Sequence, residues 1–383
     1  MKTSRTALII GGGVGGLCTA IALRRIGIEA TVYERAEMLG DVGAGLVIAA
    51  NAIRALRRLG LADQAIAAGS PITRAQIRTQ DGTPLAETDM RNYETQFGAP
   101  TIAIHRAALH KVLLSALPDG AVHLGAVCSR VEQDKNGVTA QFADGSEAQA
   151  DCLIGADGVR SVIRRQLFPH VNLRYSGYTA WRGAVISQDE VALGITSETW
   201  GRGYRFGIVR LDAERIYWFA TANTPQGVTY APAEQKELLL KIFGGWHHPI
   251  RHLLETTPAE VILHNDISDF APLKQWSVGR VTLLGDAAHA TTPNMGQGAC
   301  MAIESADVLA QCLGQTEDIA AAFHTYETRR QPRTAFITNQ SWQIGRMAQL
   351  ENPLLCAARN WAVKTFSSRT MARQLGKVLG AEA

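Results

Sequence analysis

Apolar residues fall in two textures along this chain. Short, largely apolar runs, Ala7–Ile10, Leu153-Ile154 and Val281–Leu284, are each followed closely by glycine, and the last two by aspartate as well. Runs of this length bounded by glycine fit strands buried on both faces of a parallel sheet. After the first run, a helix is predicted to extend to about Arg25 and to stop near Gly27, a natural C-terminal glycine. A second strand, Ala30–Tyr33, ends at Glu34. Residues 173–220 differ: LRYSGYTAWRGAV, SETWGRGYRFGIVRL and RIYWFATAN alternate, with many aromatic and β-branched residues. They predict a separate sheet, and a shorter piece around 76–97 is expected to join it. Near the end, residues 315–333 predict one helix that stops before Pro332, and Glu351–Leu355 mark a break. The tail carries Trp361, Val363, Phe366 and Leu375 among basic residues. It fits a helix docked on the rest of the molecule, or a basic amphipathic helix for a membrane or partner.

The totals narrow the choice of function. A chain of 383 residues suggests two domains, or one large domain with an insertion. Hydrophobic residues make up 46% and charged residues 19%, ordinary values for a soluble globular protein. The formal charge of +3 gives no reason to expect a nucleic-acid partner. Cys18, Cys128, Cys152, Cys300, Cys312 and Cys356 are scattered without a CxxC pair, so neither zinc nor a disulfide framework is expected. They read as reduced thiols of a cytoplasmic protein. No apolar stretch reaches the ~18 residues of a membrane span, and the N-terminal apolar run ends in glycines rather than a cleavage site.

The first strand runs into Gly11, Gly13, Gly15 and Gly16, with Gly11, Gly13 and Gly16 in GxGxxG spacing. Glycines here allow a tight turn and let a pyrophosphate reach the N–H groups and positive dipole of the following helix. Glu34, 18 residues after Gly16, is placed to accept hydrogen bonds from an adenosine ribose, and its charge disfavours a 2′-phosphate. This loop fits FAD and NAD equally.

Two later motifs favour flavin. Residues 153–164 read LIGADGVRSVIR, with Asp157-Gly158, Ser161 and Arg164 in DGxxSxxR spacing. Residues 281–310 run from a strand through Gly285-Asp286 into Pro293-Asn-Met-Gly-Gln-Gly298 and a helix. Asp286 can accept hydrogen bonds from ribityl hydroxyls, or it can simply cap a helix. Gly296 and Gly298 leave backbone amides bare at a helix start, suited to negative charge on a reduced ring, or they can serve close packing. His289 is expected to make a structural hydrogen bond.

Together these segments resemble the DG and GD motifs of the single-component FAD-dependent aromatic hydroxylases, the para-hydroxybenzoate hydroxylase superfamily. The resemblance runs from Ala7 to about Arg333. It implies an α/β fold: a Rossmann-like FAD-binding domain (1–75, 98–172, 270–340), an inserted β-sheet substrate domain (76–97, 173–269) and C-terminal helices (341–383). It implies that Asp157 lies near both FAD and the passing nicotinamide nucleotide. It also puts Asp286, Pro293, Gly296, Gln297 and Gly298 around the flavin ring. Ile104–Leu109 resembles the family's arginine-bearing helix start, so Arg106 would reach FAD phosphate or ribityl oxygens, or else lie on the surface. Arg35 covers the adenine or is solvated. Gly43–Ala52 resembles the loop past the flavin, which brings Val47 near the ribityl or ring. Cys128 falls on a strand whose main chain meets adenine.

Within that superfamily the chain is most similar to the branch of urate hydroxylases, 3-hydroxybenzoate 6-hydroxylases and zeaxanthin-epoxidase-like proteins. The resemblance implies that Arg205 and Tyr217 bind and polarise a substrate, against the plainer readings of a solvated edge arginine and a packed tyrosine. The branch carries an amide where this chain has Ala180, which speaks against urate. Arg182 becomes a second anion handle or a structural ion pair. The function implied is hydroxylation of a small aromatic or heteroaromatic ring, using NADH or NADPH and O2 through a flavin C4a-hydroperoxide. The rivals are a flavin epoxidase or an antibiotic- or polyketide-modifying hydroxylase, an FAD oxidase or dehydrogenase, and a non-enzymatic flavin-binding protein. A monomer or homodimer without an integral membrane segment is expected.

Overall fold

The structure is a computed structural model that describes residues 5–39, 45–186 and 191–380. Gly43 and Ala44 of the loop noted above, and the side chain of Phe366, lie outside the described residues.

Six strands form the first sheet, in the order Ser277–Val278, Val281–Leu283, Cys152–Gly155, Thr6–Ile10, Glu29–Tyr33, Val122–His123. All neighbours pair in parallel except the first two. The apolar runs that predicted buried strands are its centre, and Ile9, Val32, Ile154 and Leu283 are fully buried. The chain leaves the central strand Thr6–Ile10 for Glu29–Tyr33 on one side and reaches Cys152–Gly155 on the other. This reversal opens a crevice at the carboxyl ends of the strands, where doubly wound sheets bind ligands. Gly11, Glu34, Asp157 and Asp286 all follow strands that end there.

Helix Val14–Arg25 lies between this sheet and helix Gly298–Gln315. The fit is close. A β-carbon on Gly15 would come within 3.0 Å of Leu284 and 3.2 Å of Ala302. Gly15 thus owes its missing side chain to packing between elements.

The second sheet has seven strands, in the order Leu263–Asp269, Arg174–Ile186, Arg215–Asn223, Tyr204–Arg210, Ile195–Trp200, Arg74–Thr79, Pro84–Asp89. Strand side chains alternate between faces, so the register sorts them. Trp181, Phe206, Ile208, Ile216 and Trp218 pack on one face against Leu239, Phe243 and Leu253 of two covering helices, Pro232–Phe243 and Ile250–Thr256. Trp218 stacks on Phe206, and its indole N–H donates to Thr257 Oγ1 at 2.9 Å. Burying side chains of this size contributes roughly 2–3 kcal/mol each. The opposite face carries Ala180, Arg182, Arg205, Val209, Tyr217 and Phe219. Val209 and Tyr217 join the same apolar core as the first sheet, so this face meets the cofactor side.

Three expectations are corrected. The piece around 76–97 contributes strands at Arg74–Thr79 and Pro84–Asp89, but Arg91–Phe97 is helical. The helix expected to stop before Pro332 runs through it, from Ile319 to Ala348. Proline removes one hydrogen bond, yet Tyr326, Arg330, Thr334, Ile337 and Ser341 are buried on both sides of it, and packing holds the helix together. Residues 341–348 therefore belong to this long helix and not to a separate C-terminal unit.

The last helix, Pro353–Leu379, is capped by Asn352, whose side chain accepts from the Leu354 and Leu355 N–H groups. Its far end is docked: Val378 and Leu379 are buried, and Arg333 and Arg54 donate to their carbonyls. Among the described residues, no helix is long and apolar enough to cross a membrane. All six cysteines are buried free thiols.

Candidate active site

The glycines at the end of the first strand are required by contact. Gly11 has φ +112°, and a β-carbon there would lie 2.3 Å from the Ala156 carbonyl oxygen. At Gly16 a β-carbon would lie 1.9 Å from the Gly11 oxygen. Gly13 differs: nothing stands within 4 Å of its missing side chain, and it is the N-cap of helix Val14–Arg25. The helix start is thus open to an anion. Glu34 holds its place by accepting from the Gly12 N–H at 2.6 Å and the Ala36 N–H at 2.9 Å. Arg35 is exposed beside it. Cys128 is buried at the start of its strand; burial, with the Asp157 charge, pushes its thiol up to about 11, so it stays protonated.

The DGxxSxxR spacing has a local physical reason. Asp157 Oδ2 accepts from the Val162 N–H at 2.7 Å, and Ser161 Oγ accepts from the Arg164 N–H at 2.8 Å, so both cap helix Val162–Leu167. Arg164 is almost fully buried over the Phe270 ring, 4.3 Å from its centroid. It donates to the Ala287 carbonyl at 3.1 Å, one residue past Asp286, and so straps the two motif loops together. Asp157 Oδ1 is buried and has no partner within the protein.

Gly285 has φ +63°, a left-handed turn that aims Asp286 into the crevice. Asp286 is an exposed residue with protein packed densely near its carboxyl. That surrounding protein raises its carboxyl, while Arg106 and Arg164 pull it down. A β-carbon on Gly298 would lie 3.9 Å from Asp286 Oδ1, so the carboxylate stands beside the N-terminus of helix Gly298–Gln315. Arg106, the first residue of helix Arg106–Ser115, is exposed and close enough to act on Asp286. Pro293 and Gly296 are exposed on the loop between.

Gln297 turns its side chain inward. Its side chain is buried and accepts from Asn51 Nδ2 at 3.1 Å, and Asn51 also donates to Glu304 at 2.6 Å. Burial alone would raise the Glu304 carboxyl, but Arg330, Arg333 and Asn51 outweigh it and bring it down to about 2. This leaves Gln297 its main chain to offer a ligand. Val47 packs on the core, and its carbonyl accepts from the Cys300 thiol at 3.6 Å. His289 makes the structural bond expected of it, to Ser305 Oγ at 3.1 Å; burial, with Arg330, lowers it to about 3.

The unpartnered Asp157 oxygen, the open approach at Gly13 and the Asp286 carboxylate at a helix start fit FAD: pyrophosphate at the first helix, ribityl hydroxyls near the two acids.

On the second sheet, Ala180, Arg182, Arg205 and Tyr217 share one face. Arg205 is not a solvated edge residue. It is 2% exposed, and its guanidinium donates to Glu198 at 3.0 Å, Gln349 at 2.8 Å and Asn294 at 2.8 Å. Tyr217 is buried with its ring where a β-carbon on Gly45 would fall, at 2.6 Å. Burial pushes its hydroxyl up, opposed by the charge and hydrogen bond of Arg182. Arg182 also donates to Asn265 at 3.3 Å. Ala180 is packed with Tyr178 and Ile267 and offers only a methyl wall. Sequence reasoning missed Asn294 and Gln349. Asn294 lay inside the quoted Pro293–Gly298 motif, whereas nothing near Gln349 marks it.

A largely parallel sheet with nucleotide loops at its carboxyl edge, joined to a largely antiparallel sheet with polar handles, is the architecture of a flavin-dependent aromatic hydroxylase. A family model described as an FAD binding domain matches residues 4–341, and the chain belongs to that family. It is 43% identical to the aurachin C monooxygenase/isomerase of Stigmatella aurantiaca, over 96% of each chain. It is 34% identical to the FAD-dependent urate hydroxylase of Klebsiella pneumoniae subsp. pneumoniae, over 85% of each. The crystal structure of Klebsiella pneumoniae HpxO complexed with FAD and uric acid superposes with a TM-score of 0.93 at 29% identity, covering 99% of this chain and 97% of that one. The chain is an FAD-dependent monooxygenase.

Proposed function

We propose that this monooxygenase hydroxylates a planar nitrogen heteroaromatic ring other than urate, held as an anion or hydrogen-bonded tautomer against Arg182 and Tyr217. The observation that carries the reading is the shared face: both residues lie on the side of the second sheet that meets the cofactor side. Ala180 supports a substrate other than urate, because a methyl cannot replace an amide that pairs with a purine edge. The stronger identity to the aurachin C enzyme than to the urate hydroxylase points the same way.

Bound FAD, reduced by NADH or NADPH, supplies the activation of O2. The protein's part is positional. Asp157 and Asp286 would accept from ribityl hydroxyls, and Glu34 from the adenosine ribose. The Gly298 helix start favours negative charge at the ring. Arg182 neutralises the substrate anion. Tyr217, whose hydroxyl burial holds protonated, donates a hydrogen bond to a substrate oxygen and does not act as a base. Phe219 and Val209 keep water from that face. Six buried free thiols support a cytoplasmic setting.

The deciding experiment loads the protein with FAD and follows NADH and NADPH oxidation with 4-quinolones, hydroxypyridines, aminohydroxybenzoates and urate. Hydroxylated quinolone or pyridine, with little product from urate, is expected. Efficient urate turnover overturns the substrate class. Protein that takes up no FAD overturns the placement of the cofactor.

A further inference from the structure

Asn294 sits in the Pro293–Gly298 loop, and its side chain bonds across to the second sheet and the long helix. Its Oδ1 accepts from Arg205 Nη2 at 2.8 Å and from the Tyr178 hydroxyl at 3.1 Å, both on the second sheet. Its Nδ2 donates to Thr292 Oγ1 at 2.9 Å and to the Ser341 carbonyl at 2.9 Å, on the long helix. A side-chain amide has two donors and room for two acceptor bonds, so all four positions are filled. The orientation is forced, because a guanidinium only donates and a carbonyl only accepts. Space is made for it as well: a β-carbon on Gly345 would lie 2.4 Å from Asn294 Nδ2. The helix carries glycine at the one turn that Asn294 leans on.

We infer that Asn294 is a positioning residue that sets the loop beside the flavin at a fixed distance from the substrate sheet. The inference rests on the hydroxylase reading above. The loop holds the helix start proposed to face the ring, and Arg205 belongs to the strand beside Tyr217. One amide joins the two surfaces between which the substrate must sit. Arg205 follows as a second positioning residue, since Asn294, Glu198 and Gln349 take up its guanidinium and leave it poorly placed to hold a ligand. A shift of this joint moves the flavin relative to the ring to be hydroxylated. Electrons from the nicotinamide then pass to O2 and leave as hydrogen peroxide without product.

The test uses FAD-loaded wild type, Asn294→Ala and Gly345→Ala. Gly345→Ala improves the helix as a helix and acts on Asn294 from the far side. Both variants are expected to keep full FAD occupancy and to shift the spectrum of the bound flavin without substrate. Product per NAD(P)H should fall about tenfold or more, since a misplacement near 1 Å can cost the productive step up to about a hundredfold, with peroxide taking up the electrons. Asn294→Asp keeps the acceptor for Arg205 but turns a carboxylate on the Ser341 carbonyl, and should fall between. Should Asn294→Ala fail to fold, Gly345→Ala still decides. Wild-type spectra and wild-type product-to-peroxide ratios in the variants that fold overturn the inference, and so does loss of FAD, which would make the loop a retention device. If wild type binds FAD but hydroxylates nothing, the proposed function fails, and the substrate-free spectra still decide the role of Asn294.

Discussion

The two sheets meet across one crevice, but they build their halves of it by opposite means. On the cofactor side, specificity comes from side chains that are missing: Gly11 and Gly16 have no room for a β-carbon, and Gly13 leaves a helix start bare. On the proposed substrate side it would come from side chains that are present, with Arg182 and Tyr217 on one face of neighbouring antiparallel strands. Backbone geometry tolerates no substitution and suits an invariant dinucleotide. A sheet face can change residue by residue without disturbing the fold, which suits a family whose members take different rings.

The sharpest way to break this contrast is at Gly16. Gly16→Ala places a methyl 1.9 Å from the Gly11 oxygen and should abolish FAD uptake, read from the flavin absorbance of the purified protein. A yellow, stoichiometric variant would show that the loop has slack and the contrast is false. Next comes Asp286→Ala. Losing a charged hydrogen-bond acceptor costs about 1.5–3 kcal/mol, so FAD should bind about 10- to 150-fold more weakly when titrated into the apoprotein. Arg182→Gln probes the other face: substrate KM should rise about tenfold by the same energetics, with FAD affinity unchanged. A joint loss of both affinities would mean that the two halves are not separable.

Tyr217→Phe should lower turnover by several-fold and leave the shape of the pH profile intact. Burial raises this hydroxyl above the ordinary tyrosine value of 10.0, so the neutral donor persists throughout the working range. Disappearance of a basic limb near neutrality in the variant would instead make Tyr217 a base. The smallest effect on turnover belongs to His289→Gln, which lies outside both halves. Its effect is on acid stability. The folded protein holds His289 neutral down to about pH 3, whereas the unfolded chain protonates near 6.5. The stability it confers is whole above pH 6.5 and is lost as the pH falls toward 3. Urea midpoints at pH 7 and pH 4.5 should therefore differ less in the variant than in wild type.

The same contrast explains what could be read from the chain. The parallel strands, the glycine turns and the three acids at their ends were readable because each motif is local: Asp157 and Ser161 cap their helix within the stretch from 157 to 164. The face of the second sheet was readable as alternation. Its polar partners were not. Arg205 reads as an edge arginine until Gln349 and Asn294 arrive from 144 and 89 residues away. Pro332 misled for a related reason, since tertiary packing on both sides of it outweighs one lost hydrogen bond. The side-chain partner of Gln297, Asn51, lies 246 residues away and was equally unreadable.

The helix Ile319–Ala348 is about 45 Å long at 1.5 Å per residue, and it is bonded to everything in turn. The Tyr326 hydroxyl meets the end of the first sheet, Arg330 and Arg333 hold the helix beneath the crevice, and Trp342 lies under Arg174 of the second sheet. Neither lobe is complete without it. The protein should consequently melt in a single cooperative transition, and a chain cut in the middle of this helix should yield two insoluble halves instead of one surviving flavoprotein.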